Sequence, residues 1–353
     1  MDDRPGQLVL LGSGETSASG RRVFDWLFHQ LPSPVRMAIL ETPAGFQPNS
    51  ALVAQKVADF VRQHVSNHSV EPVIVPARRR GTPFSPEDSD LAESLVGADC
   101  IFLGPGSPTY AVRQLRGSIV WEAVRAGFAS GAPLILASAA VLAVSAYTLP
   151  VYEIYKAGAD LGWKRGLDLL GAAGPAVVFV PHWNNREGGA ELDTTHCFVG
   201  VDRFDELRAL LPREATVVGI DEHTAFIVDP SAGRCLVMGS GGVTIEQRGD
   251  SVRYENGESV SVGELGQLDW TAFVKDLPTE LFERAKESNR SRKKLPNPAA
   301  AIPRDILDLV QRREEARQQR DWKVADDLRV EVGRRGYQVQ DTPDGPRVRP
   351  SAG

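Results

Sequence analysis

Five short apolar runs punctuate the first 138 residues: "QLVLLG" (7–12), "RMAILE" (36–41), "VEPVIVPA" (70–77), "DCIFLG" (99–104) and "PLILAS" (133–138). Segments of helical spacing separate them, such as Val23, Trp26, Leu27 and Leu31, then Leu52, Val57, Phe60 and Val61. Strands that are apolar on both faces, alternating with amphipathic helices, need a parallel sheet covered by helices on each side. Right-handed crossovers then leave a doubly wound α/β arrangement. Ligands of such sheets sit at the carboxyl ends of the strands. Here those ends read "GSGE", "ETPAG", "PARRRG", "GPGSP" and "ASAAV", most of them with the Gly or Pro that tight loops require.

The second half changes character. The runs at 176–183, 215–221, 224–229, 234–240 and 243–262 are closely spaced, and "GIDEHTAFIVD" and "VDPSAGRCLVMG" read as successive hairpins. They predict an antiparallel extension at the sheet edge. Residues 286–303, "KESNRSRKKLPNPAAAIP", read as a basic, Pro/Ala-rich linker. Beyond it, Ile306, Leu309, Val310 and Arg313 form one helical stripe. Trp322, Ala325, Leu328 and Val332 form another, with Asp321 as N-cap. The expected organisation is an α/β domain over 1–285, a linker over 286–303 and a helical hairpin over 304–353.

Charge supports that division. From Leu281 onward 17 Lys and Arg face 12 Asp and Glu, whereas the rest of the chain has 23 against 34. The net charge of −6 gives no sign of general nucleic-acid or membrane affinity. Cys100, Cys197 and Cys235 are scattered and form no CxxC, so neither a disulfide framework nor a zinc site is expected. No apolar run approaches the roughly 18 residues of a membrane span, and "MDDRPGQ" lacks a signal-peptide pattern. The expectation is a soluble, cytoplasmic protein.

Chemistry-bearing residues fall at the strand ends. Gly12 and Gly14 fit part of a dinucleotide fingerprint, with Glu41 at the ribose-acid position, but Ser17 replaces the third glycine; a plain tight turn explains the same residues. Gly104 and Gly106 close a strand and open a helix, which suits one half of an oxyanion hole or simply a turn. Ser138 stands at a strand-to-helix corner. His182 ends a later strand, where imidazole can take a hydroxyl proton. Trp183, Asn184 and Arg186 follow it and suit a binding cleft. Glu153, 15 positions after Ser138, is the candidate acid to orient the imidazole. His196 and His223 read as structural or solvated.

In this order the residues resemble the cyanophycinase and dipeptidase E group of serine peptidases, which share the flavodoxin-like, class I glutamine amidotransferase-like fold. The resemblance spans about residues 7–245 and rests on "LGSGE", "FLGPGSPTYAVRQL", the Ser138 corner, "VYEIYKAGADLGWKRGLDLLG", the strand ending in His182 and "VVGIDEHTAFIVD". It implies Ser138 as nucleophile, His182 as general base and Glu153 as orienting acid. The N–H groups of Ala139 and of Gly104 or Gly106 would form the oxyanion hole. Cleavage beside aspartate without metal or cofactor is implied, and Arg186 would meet a substrate carboxylate. The sequence departs from the family where its elbow carries glycine, with Leu136 and Ala140, and carries Val180 two residues before His182 where cyanophycinases have Asp. The alternative is a catalytically degenerate member that binds a small ligand, RNA or a protein partner.

The tail resembles something unrelated. Residues 304–349, with "REEAR", "DWKVAD" and "GYQVQDTPDGPRVR", are similar to the C-terminal helical piece of cysteinyl-tRNA synthetases. No synthetase catalytic signature accompanies it. The resemblance implies a weak tRNA contact; a docking or homodimerising hairpin is the other reading.

Overall fold

Alternate residues of a strand face opposite sides, so a strand apolar at every position must be covered twice. The computed structural model describes residues 4–65, 67–174, 176–295, 302–342 and 345–351. The five early runs form β1 (Leu8–Leu11), β2 (Val35–Leu40), β3 (Val70–Val75), β4 (Cys100–Leu103) and β5 (Leu134–Ala137). They are parallel, in the spatial order β3-β2-β4-β5-β1. Leu8, Leu10, Ile101, Leu103, Leu134 and Leu136 enter one core. Their strand neighbours Val9, Leu11, Cys100, Phe102, Ile135 and Ala137 enter the other. Helices Ala18–Phe28 and Ser50–His64 cover the second face, and helices Ser89–Val96 and Ile119–Ala129 the first. The fold is the expected flavodoxin-like α/β class.

After the short pair β6 (Tyr147–Thr148) and β7 (Lys164–Arg165), the later strands differ from the expected single extension. They are β8 (Val177–Val180), β9 (Thr216–Ile220), β10 (Thr224–Asp229), β11 (Arg234–Gly239), β12 (Val243–Gln247), β13 (Asp250–Tyr254) and β14 (Ser259–Ser261). β10, β11 and β14 extend the main sheet antiparallel beyond β1. β8, β9, β12 and β13 instead form a separate four-stranded sheet. "GIDEHTAFIVD" is therefore no hairpin: β9 pairs with β8 and β12, β10 with β1 and β11, and residues 221–223 cross between the sheets.

Two other expectations change. Residues 286–293 of the expected linker belong to the helix Thr279–Lys293, whose Phe282 and Ala285 pack into the main core; residues 296–301 lie outside the described residues. The tail has its two helices, Arg304–Gln318 and Trp322–Arg334, but β15 (Tyr337–Thr342) and β16 (Gly345–Pro350) add a β-hairpin. Val339 and Val348 face each other across it and join Ile306, Leu309, Val310, Leu328 and Val332 in a separate small core. Arg313 closes the unit, its guanidinium held by both carboxylate oxygens of Asp341 at 2.8 Å. Trp322, expected in the buried stripe, is 59% exposed.

Candidate active site

β5 ends at Ala137, and the chain turns at once into the helix Ala139–Ala143. Ser138 makes that turn at φ 52°, ψ −111°. A non-glycine residue there costs of order 1–3 kcal/mol and persists only where its surroundings hold it. They do: the Ser138 N–H donates to the Leu11 carbonyl at 3.1 Å, and the Ser138 carbonyl accepts from Val141 at 2.9 Å. Leu136 and Ala140, at the positions where glycine was expected, are fully buried in the core on one face of the sheet. Leu136 lies in register between Leu10 of β1 and Leu103 of β4. The strained corner thus forms without glycines, because that core has room for both side chains.

The adjacent sheet supplies the partner. Beyond β8 the chain passes Pro181 to His182, whose φ is 53°. His182 Nε2 lies 2.9 Å from Ser138 Oγ. A left-handed turn, His196 to Phe198, clasps this residue: Cys197 N–H donates to the His182 carbonyl at 3.1 Å, and the Phe198 ring sits 5.5 Å from the imidazole. With His223, six of the nine non-glycine residues of positive φ among the described residues gather at this edge.

The imidazole is oriented by Glu222, not by Glu153. Glu222 Oε1 lies 2.9 Å from His182 Nδ1. Asn185, fully buried, donates to the same oxygen at 2.9 Å, and Asn184 Oδ1 accepts the Glu222 N–H at 2.8 Å. The hydrogen bond from His182 holds the Glu222 carboxyl below the usual carboxylate range, against burial, with Asn185 helping. An ionised Glu222 only accepts, so Nδ1 carries the proton and Nε2 is left to accept from Ser138. Glu153 is elsewhere engaged. From the helix Val151–Ala157 its Oε1 accepts the Thr109 hydroxyl at 2.6 Å and lies 3.4 Å from Lys164 Nζ. Burial works to raise its carboxyl, but Thr109 and Lys164 outweigh it and hold the group low.

Glu153 instead lines a neighbouring cleft of about 950 Å³ with Tyr110, Arg113, Tyr152, Lys164 and Arg165. The β6–β7 pairing brings Lys164 and Arg165 there. Its buried atoms Glu153 Oε2 and Thr148 Oγ1 have no hydrogen-bond partner among the described residues.

The remaining expected site residues divide. Trp183 is no cleft residue: it is 8% exposed, stacks edge-on to His196 and Phe204, and lies where a Cβ on Gly219 would come within 2.2 Å of its ring. Asn184 is exposed, but its side-chain oxygen is spent on Glu222. Arg186 is exposed, and its guanidinium has no partner among the described residues. Gly104 and Gly106 follow β4, beside β5. Gly106, at φ 152°, packs so closely on the Pro43 carbonyl that a Cβ would come within 2.0 Å of its oxygen. Ala139 is the first residue of its helix, where an N–H has no intrahelical acceptor.

The glycine-rich first turn also has a clear purpose. A Cβ on Gly12 would come within 2.1 Å of the Asp221 carbonyl oxygen, and Gly14, at φ 78°, sits against the His223 ring. The turn makes room for the crossover that carries Glu222, which is the plain-turn reading of this segment. Glu41, the candidate ribose acid, is buried and bound to Arg78 at 2.6 Å. Burial pushes the Cys197 thiol up to about 12, with Glu222 adding to the effect, so no thiolate nucleophile lies at this edge. Among the described residues no cluster of three or more His, Cys, Asp or Glu is placed to hold a metal ion, and no helix is long and apolar enough to cross a membrane.

Comparison with known proteins separates the two parts of the chain. A solved peptidase from an acI-B1 actinobacterium superposes with a TM-score of 0.58 over 73% of this chain and 97% of its own, at 21% identity, a likeness of fold. Residues 299–349 match the family model of the cysteinyl-tRNA ligase anticodon binding domain. The cysteine–tRNA ligase of Methanosarcina mazei is 44% identical over 50 residues, 14% of this chain and 11% of that protein. That of Chlamydia muridarum is 46% identical over 55 residues, 16% and 12%. The chain therefore covers about a tenth of the length of these curated relatives.

Proposed function

We propose that this chain is a serine-type hydrolase of a peptide or amide bond, with Ser138 as nucleophile, His182 as general base and Glu222 as the acid that orients it. The observation that carries the reading is the strained Ser138 with its hydroxyl 2.9 Å from His182 Nε2. Ser138 Oγ attacks the carbonyl carbon while its proton passes to Nε2. The imidazolium then gives that proton to the leaving amine, and water resolves the acyl-enzyme by the same route. The N–H groups of Ala139 and of Gly104 or Gly106 are the proposed donors to the developing oxyanion. The peptidase activity of the structural neighbour agrees with this reading. Arg186, together with the cationic cleft around Arg113 and Arg165, suits a substrate bearing a carboxylate. Labelling of the purified chain by a fluorophosphonate tests the assignment: loss of labelling in Ser138→Ala supports it, and equal labelling of both proteins refutes it.

Asn185 contributes through Glu222. Asn185→Ala removes a hydrogen bond to a charged group, worth about 1.5–3 kcal/mol, so kcat/KM should fall ten- to a hundredfold. Losing that donor raises the Glu222 pKa. Activity needs the ionised carboxylate, so its acidic limb should move to higher pH; a pH–rate profile beside wild type checks this.

A second reading concerns the tail. Trp322 stands out on its surface beside Arg320 and Lys323, an arrangement suited to stacking an unpaired base next to phosphate. We propose that residues 304–350 contact tRNA. Trp322→Ala should weaken binding of a tRNA transcript about tenfold in a gel shift, since one stacked base is worth about 1–3 kcal/mol; unchanged binding refutes the contact.

A further inference from the structure

Residues 183–196 leave the His182 edge and return to it. At the neck of this loop the His196 N–H donates to the Trp183 carbonyl at 2.9 Å, and the Cys197 N–H to the His182 carbonyl at 3.1 Å. Compact loops closed at their ends in this way, Ω-loops, are packed by their own side chains and are frequently functional. This one carries Asn184 and Asn185, both bonded to Glu222, and just past its neck comes Phe198, whose ring lies against the imidazole. The loop therefore holds both members of the His182–Glu222 pair.

The neck closes in an unfavourable conformation. His196 (φ 54°, ψ 51°) and Cys197 (φ 60°, ψ 52°) are left-handed, and Phe198 follows at φ 69°. Residues with a Cβ visit this region singly, because in a left-handed run each Cβ crowds the following carbonyl. Three in succession, none of them glycine, persist only where the surroundings hold them. Asp193 does the holding. Before the turn, its Oδ1 accepts the Thr195 N–H at 2.9 Å and the Thr195 hydroxyl at 2.7 Å; after it, its Oδ2 accepts the Val201 N–H at 2.8 Å. An acceptor at the start of the helix Val201–Ala209 accounts for the second oxygen alone. The first reaches back across the strained residues. Gly200, at φ 83°, permits the approach, since a Cβ there would come within 2.9 Å of the Asp193 carbonyl oxygen. The Thr195 hydroxyl, with the Val201 and Thr195 N–H groups, holds the Asp193 carboxyl down at about 2, so it stays an acceptor on both oxygens through the neutral range. We infer that Asp193 is a positioning residue for the proposed hydrolysis: by stapling the left-handed turn at both ends it fixes the His182 backbone and so keeps Nε2 within reach of Ser138. This rests on the reading of Ser138 and His182 as the catalytic pair. Without the staple the turn relaxes, the Cys197 N–H leaves the His182 carbonyl, and the Phe198 ring leaves the imidazole.

The test uses the full chain and a short peptide substrate. Asp193→Ala should lower kcat about ten- to a hundredfold with KM within about twofold of wild type, since a displaced general base costs the chemical step rather than binding. The rate of fluorophosphonate labelling should fall in proportion. The downfield Nδ1 proton resonance of His182, assigned by its absence in His182→Ala, should shift or broaden. Asp193→Asn should fall between Asp193→Ala and wild type, because its Oδ1 still accepts from Thr195 while its amide opposes the Val201 N–H. If Asp193→Ala does not fold, this variant carries the test. A second site separates the strained turn from the loss of a side chain. Glycine takes the Cys197 φ of 60° without steric cost and alanine does not. Asp193→Ala/Cys197→Gly should therefore keep about fivefold more kcat than Asp193→Ala/Cys197→Ala, both of which lack the thiol. Wild-type kcat and resonance in Asp193→Ala, a loss confined to KM, or equal activity in the two double variants overturns the staple. Retained labelling in Ser138→Ala is instead the failure of the serine reading. The His182 resonance, which needs no substrate, then decides whether Asp193 holds the imidazole.

Discussion

Ser138→Ala should lower hydrolysis of a short peptide substrate by roughly 10⁴-fold or more and abolish labelling by a fluorophosphonate. A lone serine hydroxyl is a poor nucleophile, and in the proposed mechanism the pairing with His182 at 2.9 Å is what activates this one. Residues that act as a unit lose nearly everything when the nucleophile goes, because the remaining donors stabilise a charge that no longer forms by that route. The substitution removes one oxygen and leaves the backbone bonds of residue 138 to Leu11 and Val141 in place, so the fold should survive. A companion variant separates chemistry from strain. Glycine adopts φ 52° without steric cost, whereas alanine keeps the strain. Ser138→Gly should therefore be as inactive as Ser138→Ala but unfold at a higher temperature, by calorimetry. Retained labelling in either variant overturns the nucleophile; a Gly variant no more stable than the Ala variant overturns the strained corner.

Ser138 and His182 are legible in the sequence because both follow buried apolar runs, and a run that ends at the carboxyl edge of a doubly wound sheet delivers its next residues to one place. Glu222 obeys the same rule, following β9 immediately. It is hidden because "DEH" between two strands has the length and polarity of a hairpin turn. Whether such a segment turns back or crosses to another sheet depends on pairing partners over 200 residues away, such as the register of Leu11 with Ala225. Trp183 fails for a related reason. An aromatic residue after a strand suits a cleft, and only the bare backbone of Gly219, 36 positions on, shows that the ring has somewhere to bury. The β15–β16 hairpin was more accessible: Val339 and Val348 sit at alternating positions flanking an Asp-Gly pair, a local hairpin signal. The elbow gives the opposite lesson. Leu136 and Ala140 look incompatible with a sharp corner when glycines are expected, yet strain there depends on packing around the corner, and that packing accommodates them.

The two glutamates give the sharpest contrast of all. Glu222→Gln should reduce kcat by about 10⁴-fold, the size of effect that follows when an orienting carboxylate becomes an amide. The amide can donate to His182 Nδ1 and so favour the tautomer with its proton on Nε2, which cannot take the Ser138 proton. Glu153→Gln should leave fluorophosphonate labelling within about tenfold of wild type, because Glu153 bonds Thr109 and Lys164 rather than the imidazole. Any loss it causes should appear in KM for a charged substrate. The pH dependence carries a second signature. Glu222 has a carboxyl held below the ordinary range, so its contribution to stability is present above the unfolded value and lost as pH falls through the folded one. The stability gap between wild type and Glu222→Gln should be widest at neutral pH and narrow in acid, by denaturant unfolding at a series of pH values. Loss of labelling in Glu153→Gln with normal activity in Glu222→Gln would return the orienting role to Glu153; the reverse pattern ties catalysis to the crossover between the two sheets.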